Sequence, residues 1–136
     1  MNVIVTDSGF AADDFAGGFV PLTNGAANDC AYGIDLPSDT KPEALAALSN
    51  ARMIRIDFPS FADGRGFTLA QLLRRAGYKG RLRAKGHVIA DQYAMARRSG
   101  FDEVEISDDL ARRQPEDQWL ARADWQNHHY QARMRG

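Results

Sequence analysis

Apolar residues come in short runs separated by polar stretches rich in glycine or proline, and the period inside the runs changes along the chain. Met53, Ile54, Ile56 and Phe58 make a run of strand length. Pro59 ends it, because proline cannot donate to a ladder and holds the preceding residue extended. Further on, Leu69, Leu72, Leu73 and Ala76 share one face of a helix at about 100° per residue. Thr68 and Gln71 have the spacing of a capping box, Phe67 and Leu72 that of a hydrophobic staple, and Gly77 follows as a stop. The pattern predicts a strand, a polar loop and a helix capped by Thr68.

The same reading extends along the chain. Residues 2–6, with Val3, Ile4 and Val5, predict a first strand ended by Asp7-Ser8-Gly9. Residues 10–18 read as a loop. Residues 19–22 read as a short edge strand because of Pro21, and Asn24-Gly25 as a turn. Residues 31–36 form the next strand, stopped by Pro37. A helix opened by Thr40 and Glu43 at capping-box spacing follows, with Leu45 and Leu48 on it. After Gly77 come a strand over 80–84 and a helix over 88–99 closed by Gly100, whose apolar face holds Val88, Ile89, Tyr93, Met95 and Ala96. Residues 101–106 alternate as a half-buried strand at a sheet edge. In the tail, Ser107-Asp108-Asp109 and Pro115 mark helix starts; Trp119, Leu120, Ala123 and Tyr130 share one face, with Trp125 on the other.

Strand and helix alternating in units of this length imply parallel, right-handed crossovers. The expected fold is therefore one α/β domain with a mainly parallel sheet and helices packed on it. It has a less regular segment over 1–30, a core over 31–107 and a helical tail over 108–136. A chain of 136 residues, 44% hydrophobic and 26% charged, is long enough to bury a real core. Its net charge of −1 provides no field to recruit nucleic acid or an acidic membrane. No apolar run reaches the length of a membrane span and the start lacks the pattern of a signal peptide, so a cytoplasmic location is expected.

The densest charge chemistry is Asp63-Gly64-Arg65-Gly66, where two glycines let the backbone approach a ligand closely. Free N–H groups and the positive end of the following helix add to Arg65, so the loop suits a phosphate, sulfate, sulfite or carboxylate group. The same spacing also describes an Asp63–Arg65 pair that staples a tight turn. In a parallel sheet all strand-to-helix loops emerge at one edge. Asp57, Asp63, Arg65, Lys85, Gly86, His87 and Ser107 should then gather on one rim, with Arg83 pointing to the rim or to a flank. The candidate ligand-binding set is Asp63, Gly64, Arg65, Gly66, Arg83, Gly86 and His87. Asp57, Asp63 and Arg65 are the candidates for any catalysis. Gln92 falls in the apolar face of its helix and must find partners, such as loop backbone. Asp91 beside it is placed to pair with Arg83 or Lys85. These two are read as supporting residues.

Asp57-Phe58-Pro59, Phe61-Ala62-Asp63-Gly64-Arg65-Gly66, Leu82-Arg83-Ala84, Gly86, Asp91-Gln92 and Gly100-Phe101-Asp102 together resemble the signature of a bacterial family of unknown function. That family is commonly labelled an oxidoreductase involved in sulfite reduction. The resemblance runs from about Gly33 to Ser107. It implies a role beside a sulfite reductase haemoprotein, next to whose gene members are typically encoded, and it assigns no catalytic residue. Position 87, acidic in many relatives, is His here.

Other chemistries lack their motifs. No GxGxxG opens a helix and no Walker A sequence is present. Ser60 has no nucleophile-elbow context. Cys30, the single cysteine, forbids an internal disulfide and reads as a packed residue. Asp124, His128 and His129 lack a third partner for a metal. No cofactor or metal is therefore expected. Three functions follow as expectations: a non-redox accessory to the sulfite reductase haemoprotein with an anion-binding rim centred on Arg65; a small enzyme on a sulfur or phosphate anion, with Asp57 or Asp63 as base and Arg65 as clamp; and a structural homo-oligomer using Trp125.

Overall fold

The computed structural model describes residues 2–15, 18–21, 33–48 and 51–123. The Asn24-Gly25 turn, Cys30, Trp125 and the Asp124, His128 and His129 group lie outside the described residues. The strands are β1 (Asn2–Thr6), β2 (Gly9–Ala11), β3 (Phe19–Pro21), β4 (Gly33–Leu36), β5 (Met53–Phe58), β6 (Arg81–Gly86) and β7 (Glu103–Ser107). They form one seven-stranded sheet in the order β2-β1-β7-β6-β5-β4-β3. Strands β3 to β7 pair in parallel, and β1 runs antiparallel to β7 and β2. The helices are α1 (Arg65–Arg75), α2 (Tyr93–Ser99), α3 (Asp108–Arg113) and α4 (Glu116–Leu120), with 3-10 helices at Pro42–Leu48 and Ala90–Gln92. The domain is α/β, as the alternation of strand and helix predicts.

The strands alternate strictly. Ile54, Ile56 and Phe58 of β5, Leu82 and Ala84 of β6, and Val104 and Ile106 of β7 are buried in one cluster. Leu45 and Leu48, Phe67, Leu69, Ala70 and Leu73 of α1, Tyr93 and Ala96 of α2, Leu110 of α3 and Trp119 of α4 join that same cluster. One sheet face thus carries the helices of the described residues, because β4 to β7 follow each other both in sequence and in the sheet. The opposite face carries Arg55, Asp57, Arg81, Arg83, Lys85, Glu103 and Glu105.

Several expectations shift. β7 lies inside the sheet, not at its edge: β1 returns from the chain start to pair with it, Asn2 opposite Ser107 and Val5 opposite Val104. That pairing spans nearly the whole chain and leaves no local mark. Residues 9–11, expected as loop, form β2 of a hairpin in which Thr6 faces Gly9. Residues 42–48 wind as 3-10 rather than α. α1 begins at Arg65, before Thr68, and its N-cap position is Gly64 with no side-chain cap bond. Asp63 accepts from the Arg65 N–H at 3.0 Å instead, so the turn is organised upstream of the expected capping box. The helix over 88–99 is split by the Ala90–Gln92 3-10 helix, which changes its phase. Tyr93, Ala96 and Ser99 are buried and Met95 is 54% exposed. α4 is too short for a full face: Trp119 is buried and Leu120 is 42% exposed.

Helix α1 sits close on β5. The Phe58 ring packs on Phe67 and Phe101 at centroid distances of 4.9 and 5.8 Å. A Cβ at Gly66 would lie 2.5 Å from the tip of that ring. Gly66→Ala should therefore cost about 1–3 kcal/mol through overpacking, seen as a lower urea midpoint; an unchanged midpoint would show that α1 does not depend on this approach.

Candidate functional site

The ends of β4 to β7 meet at one edge of the sheet. Gly86 follows Lys85 with φ +114, a conformation that favours glycine, and a Cβ there would meet the Phe58 carbonyl oxygen at 2.7 Å. This turn lets the His87 N–H donate to that carbonyl at 2.9 Å. His87 Nδ1 lies 3.3 Å from the same oxygen, and its ring stands edge-on to Phe61 at 5.2 Å. Gln92 donates from Nε2 to the Phe61 carbonyl and accepts the Ile89 N–H at Oε1, both at 3.0 Å. It satisfies loop backbone and is half-buried rather than set in the apolar face. Asp57 is exposed at the end of β5. His87 and the Asp63-Gly64-Arg65-Gly66 loop therefore occupy the same end of the molecule.

Within that rim, Arg65 is committed. Its Nε and Nη2 donate to the two oxygens of Asp63 at 3.0 and 2.8 Å, and Nη2 also donates to Ser38 Oγ at 3.0 Å. Ser38 in turn donates to Asp63 Oδ2 at 2.9 Å, which ties β4's loop to β5's. Hydrogen bonds from the Arg65 side chain and backbone hold the Asp63 carboxyl well below the usual carboxylate range. With both oxygens bound by Arg65 and one also by Ser38, Asp63 is an anchor for Arg65. The neighbouring cleft of about 310 Å³ is lined by Ser38, Asp39, Thr40, Arg65 and Leu69 among others.

A second cleft, of about 290 Å³, opens where β6 and β7 end beside α3. It is lined by Asn2, Lys85, Gly86, His87, Glu105, Ser107, Leu110 and Arg113. Ser107 caps α3 by accepting the Leu110 N–H at 3.1 Å. The Lys85 ammonium makes no hydrogen bond or ion pair among the described residues. It nevertheless lies on the ladder between Asp57 and Glu105.

Arg83 is not on this rim. Asp35, Arg55, Arg83 and Glu103 stand in one row across β4, β5, β6 and β7 on the face opposite the helices. Arg55 forks onto Asp35 at 2.6 and 2.8 Å and reaches Glu105 at 3.0 Å. Arg83, fully buried, donates to Glu103 at 2.7 Å, Glu105 at 2.9 Å and, through both terminal nitrogens, Asp13 at 3.2 and 3.0 Å. Arg81 binds Glu103 and Asp14. The Phe19 ring lies 3.7 Å from the Arg55 guanidinium carbon. Burial works to discharge Arg83, but Asp13, Glu103 and Glu105 outweigh it and hold the guanidinium charged. Burial likewise works against the Glu105 carboxylate, and Asn2, Arg55 and Arg83 outweigh it, so its pKa is lowered. Asp91 pairs with Arg122 at 2.8 Å, not with Arg83 or Lys85, because α4 brings Arg122 over it. Glu103, Glu105, Asp13 and Asp14 were missed as partners. The alternation of charge at odd positions in β5, β6 and β7 is the sequence signal that marks this face.

A family model described as "Bacterial protein of unknown function (DUF934)" matches residues 33–136. The chain belongs to this family. No curated protein and no solved structure matches it. The family region runs past Ser107 through the tail. It holds both clefts apart from Asn2 and all three ladder arginines; Asp13, Asp14 and Phe19 come from outside it. Among the described residues, no group of three or more His, Cys, Asp or Glu side chains is placed to hold a metal, and no helix is long and apolar enough to cross a membrane.

Arg83→Met would strip one guanidinium from Glu103 and from Glu105, each of which keeps another, Arg81 and Arg55, at a cost of about 1.5–3 kcal/mol. The wild type, with the Glu105 and Asp13 carboxyls lowered by Arg83 among other partners, should gain stability as pH rises through the unfolded carboxylate pKa of about 4. The variant should show a smaller gain over the same range, because part of that lowering is lost. Chemical denaturation between pH 3 and 8 reads both slopes, and parallel curves would refute the ladder's role.

Proposed function

We propose that this protein acts in assimilatory sulfite reduction as a non-redox accessory to the sulfite reductase haemoprotein, holding a small oxyanion on the carboxyl rim of its sheet. The link to sulfite rests on the resemblance of its FADGRG, DQ and GFD segments to the signature described above. The observation that carries the anion-binding part is the convergence of Lys85, His87 and Ser107 at one strand edge beside an open cleft. Strand ends of open parallel sheets are where such folds place ligands. The enzymatic alternative needs a base at this rim. Asp63 is withdrawn from that role by Arg65, which leaves Asp57, exposed beside Gly86.

Affinity copurification with the haemoprotein, and its sulfite turnover with and without this chain, test the accessory role. A complex that changes turnover is expected, with Asp57→Asn as effective as wild type. No contact together with unchanged turnover would end it. Turnover of sulfite by the isolated chain, lost in Asp57→Asn, would favour the enzyme.

A further inference from the structure

We infer that the cleft between β6, β7 and α3 is the seat of the anion and takes a small organic acid headed by a sulfonate, phosphate or carboxylate group. The inference rests on the rim being an anion site and names which of its two clefts does the work. The charged groups of this cleft divide sharply. Its carboxylate is spent: Glu105 Oε1 takes Arg55 and Arg83, and Oε2 takes Asn2 at 2.6 Å. Ser107 Oγ accepts the Leu110 N–H, which leaves its hydroxyl proton to give. The unspent charged groups are donors. The Lys85 ammonium is without a partner among the described residues, and Arg113 spends Nη2 on Asp109 at 3.0 Å and keeps its other N–H groups.

A site with surplus cationic donors and a committed carboxylate selects an anionic ligand made of acceptors. Lys85 is the centre of it. Its neighbours on the ladder would ordinarily pair with it, but Glu105 is held by two guanidinium groups and an amide, and Asp57 is exposed at the end of β5 and makes no ion pair with it. The Arg65 cleft has the opposite balance. Its cation is already chelated by Asp63, and Asp39 adds a further negative charge that acts on Arg65. As for size, about 290 Å³ is close to the lower end of small-molecule sites, roughly 300–1,000 Å³, and exceeds a single tetrahedral oxyanion. Leu110 supplies an apolar wall, so the volume beyond the charged head suits a short carbon body.

Calorimetric titration of the full chain with cysteate, O-phosphoserine, sulfite and inorganic phosphate tests this. The two organic acids should bind at least tenfold more tightly than the inorganic ions. Lys85→Ala should weaken them tenfold or more, Lys85→Arg should restore most of the affinity, and Lys79→Ala, at the far edge of the sheet, should change nothing. In wild-type protein the amide signals of Gly86, His87 and Ser107 should shift on titration, a readout that requires no variant to fold. Equal affinity for inorganic phosphate would overturn the organic-acid assignment. Affinity untouched by Lys85→Ala but lost in Arg65→Ala would move the anion to the other cleft and overturn the site. Absence of binding by any probe would overturn the inference while the haemoprotein assay still judged the accessory role by itself.

Discussion

A buried guanidinium must be neutralised where it stands, and the sheet is arranged around that requirement at Arg83. Moving a charge from water into a protein interior costs several kcal/mol even after relaxation. Arg83 is fully buried yet charged, and it is held by carboxylates from β7 and from the segment after β2. Every buried side-chain nitrogen or oxygen among the described residues has a partner, which is the condition for such a network to be tolerated. Because Glu103 and Glu105 are two residues apart on one strand, both reach Arg83 only if β6 and β7 pair in the observed register. A slip of one residue would turn the carboxylates into the apolar core.

Among the described residues, this network takes the place of a second helical layer. Parallel sheets are ordinarily covered by helices on both faces, but strands joined in sheet order send all crossovers to one side. The remaining face is closed by charge pairing across strands and by Asp13, Asp14 and Phe19. The N-terminal segment is thus structural: β1 completes the sheet beside β7, and the residues after β2 neutralise and cover the ladder. A family region that begins at Gly33 holds the arginines without two of the carboxylates and the aromatic ring they contact here.

The rim is separate from the ladder but made by the same strands. Chemistry divides it into a stapled half and an open half. Around Asp63, Arg65 and Ser38, hydrogen bonds close a mutual ring that joins two loops, which is the tight-turn reading of the spacing. Around Lys85, the demands of the ladder occupy Glu105 and leave the ammonium unpaired. An interior electrostatic requirement therefore determines which cation at the surface is available to a ligand.

Much of this was legible in the chain. Short runs bounded by turn residues marked β1, β4, β5 and β6, alternation marked β7, period 3.6 marked α1, and glycines at 77 and 100 marked helix ends, because each of these depends on residues close in sequence. The parallel order followed from element lengths, and with it the gathering of Arg65 and His87 at one end. Local pattern and element length were enough for the α/β class and for the edge on which charged loops meet. The interior place of β7, the burial of Arg83, and the pairing of Arg65 in place of Lys85 on the described rim came from the folded sheet. Those outcomes depend on which carboxylate reaches which guanidinium across strands far apart in the chain, a competition settled by distance in the folded sheet.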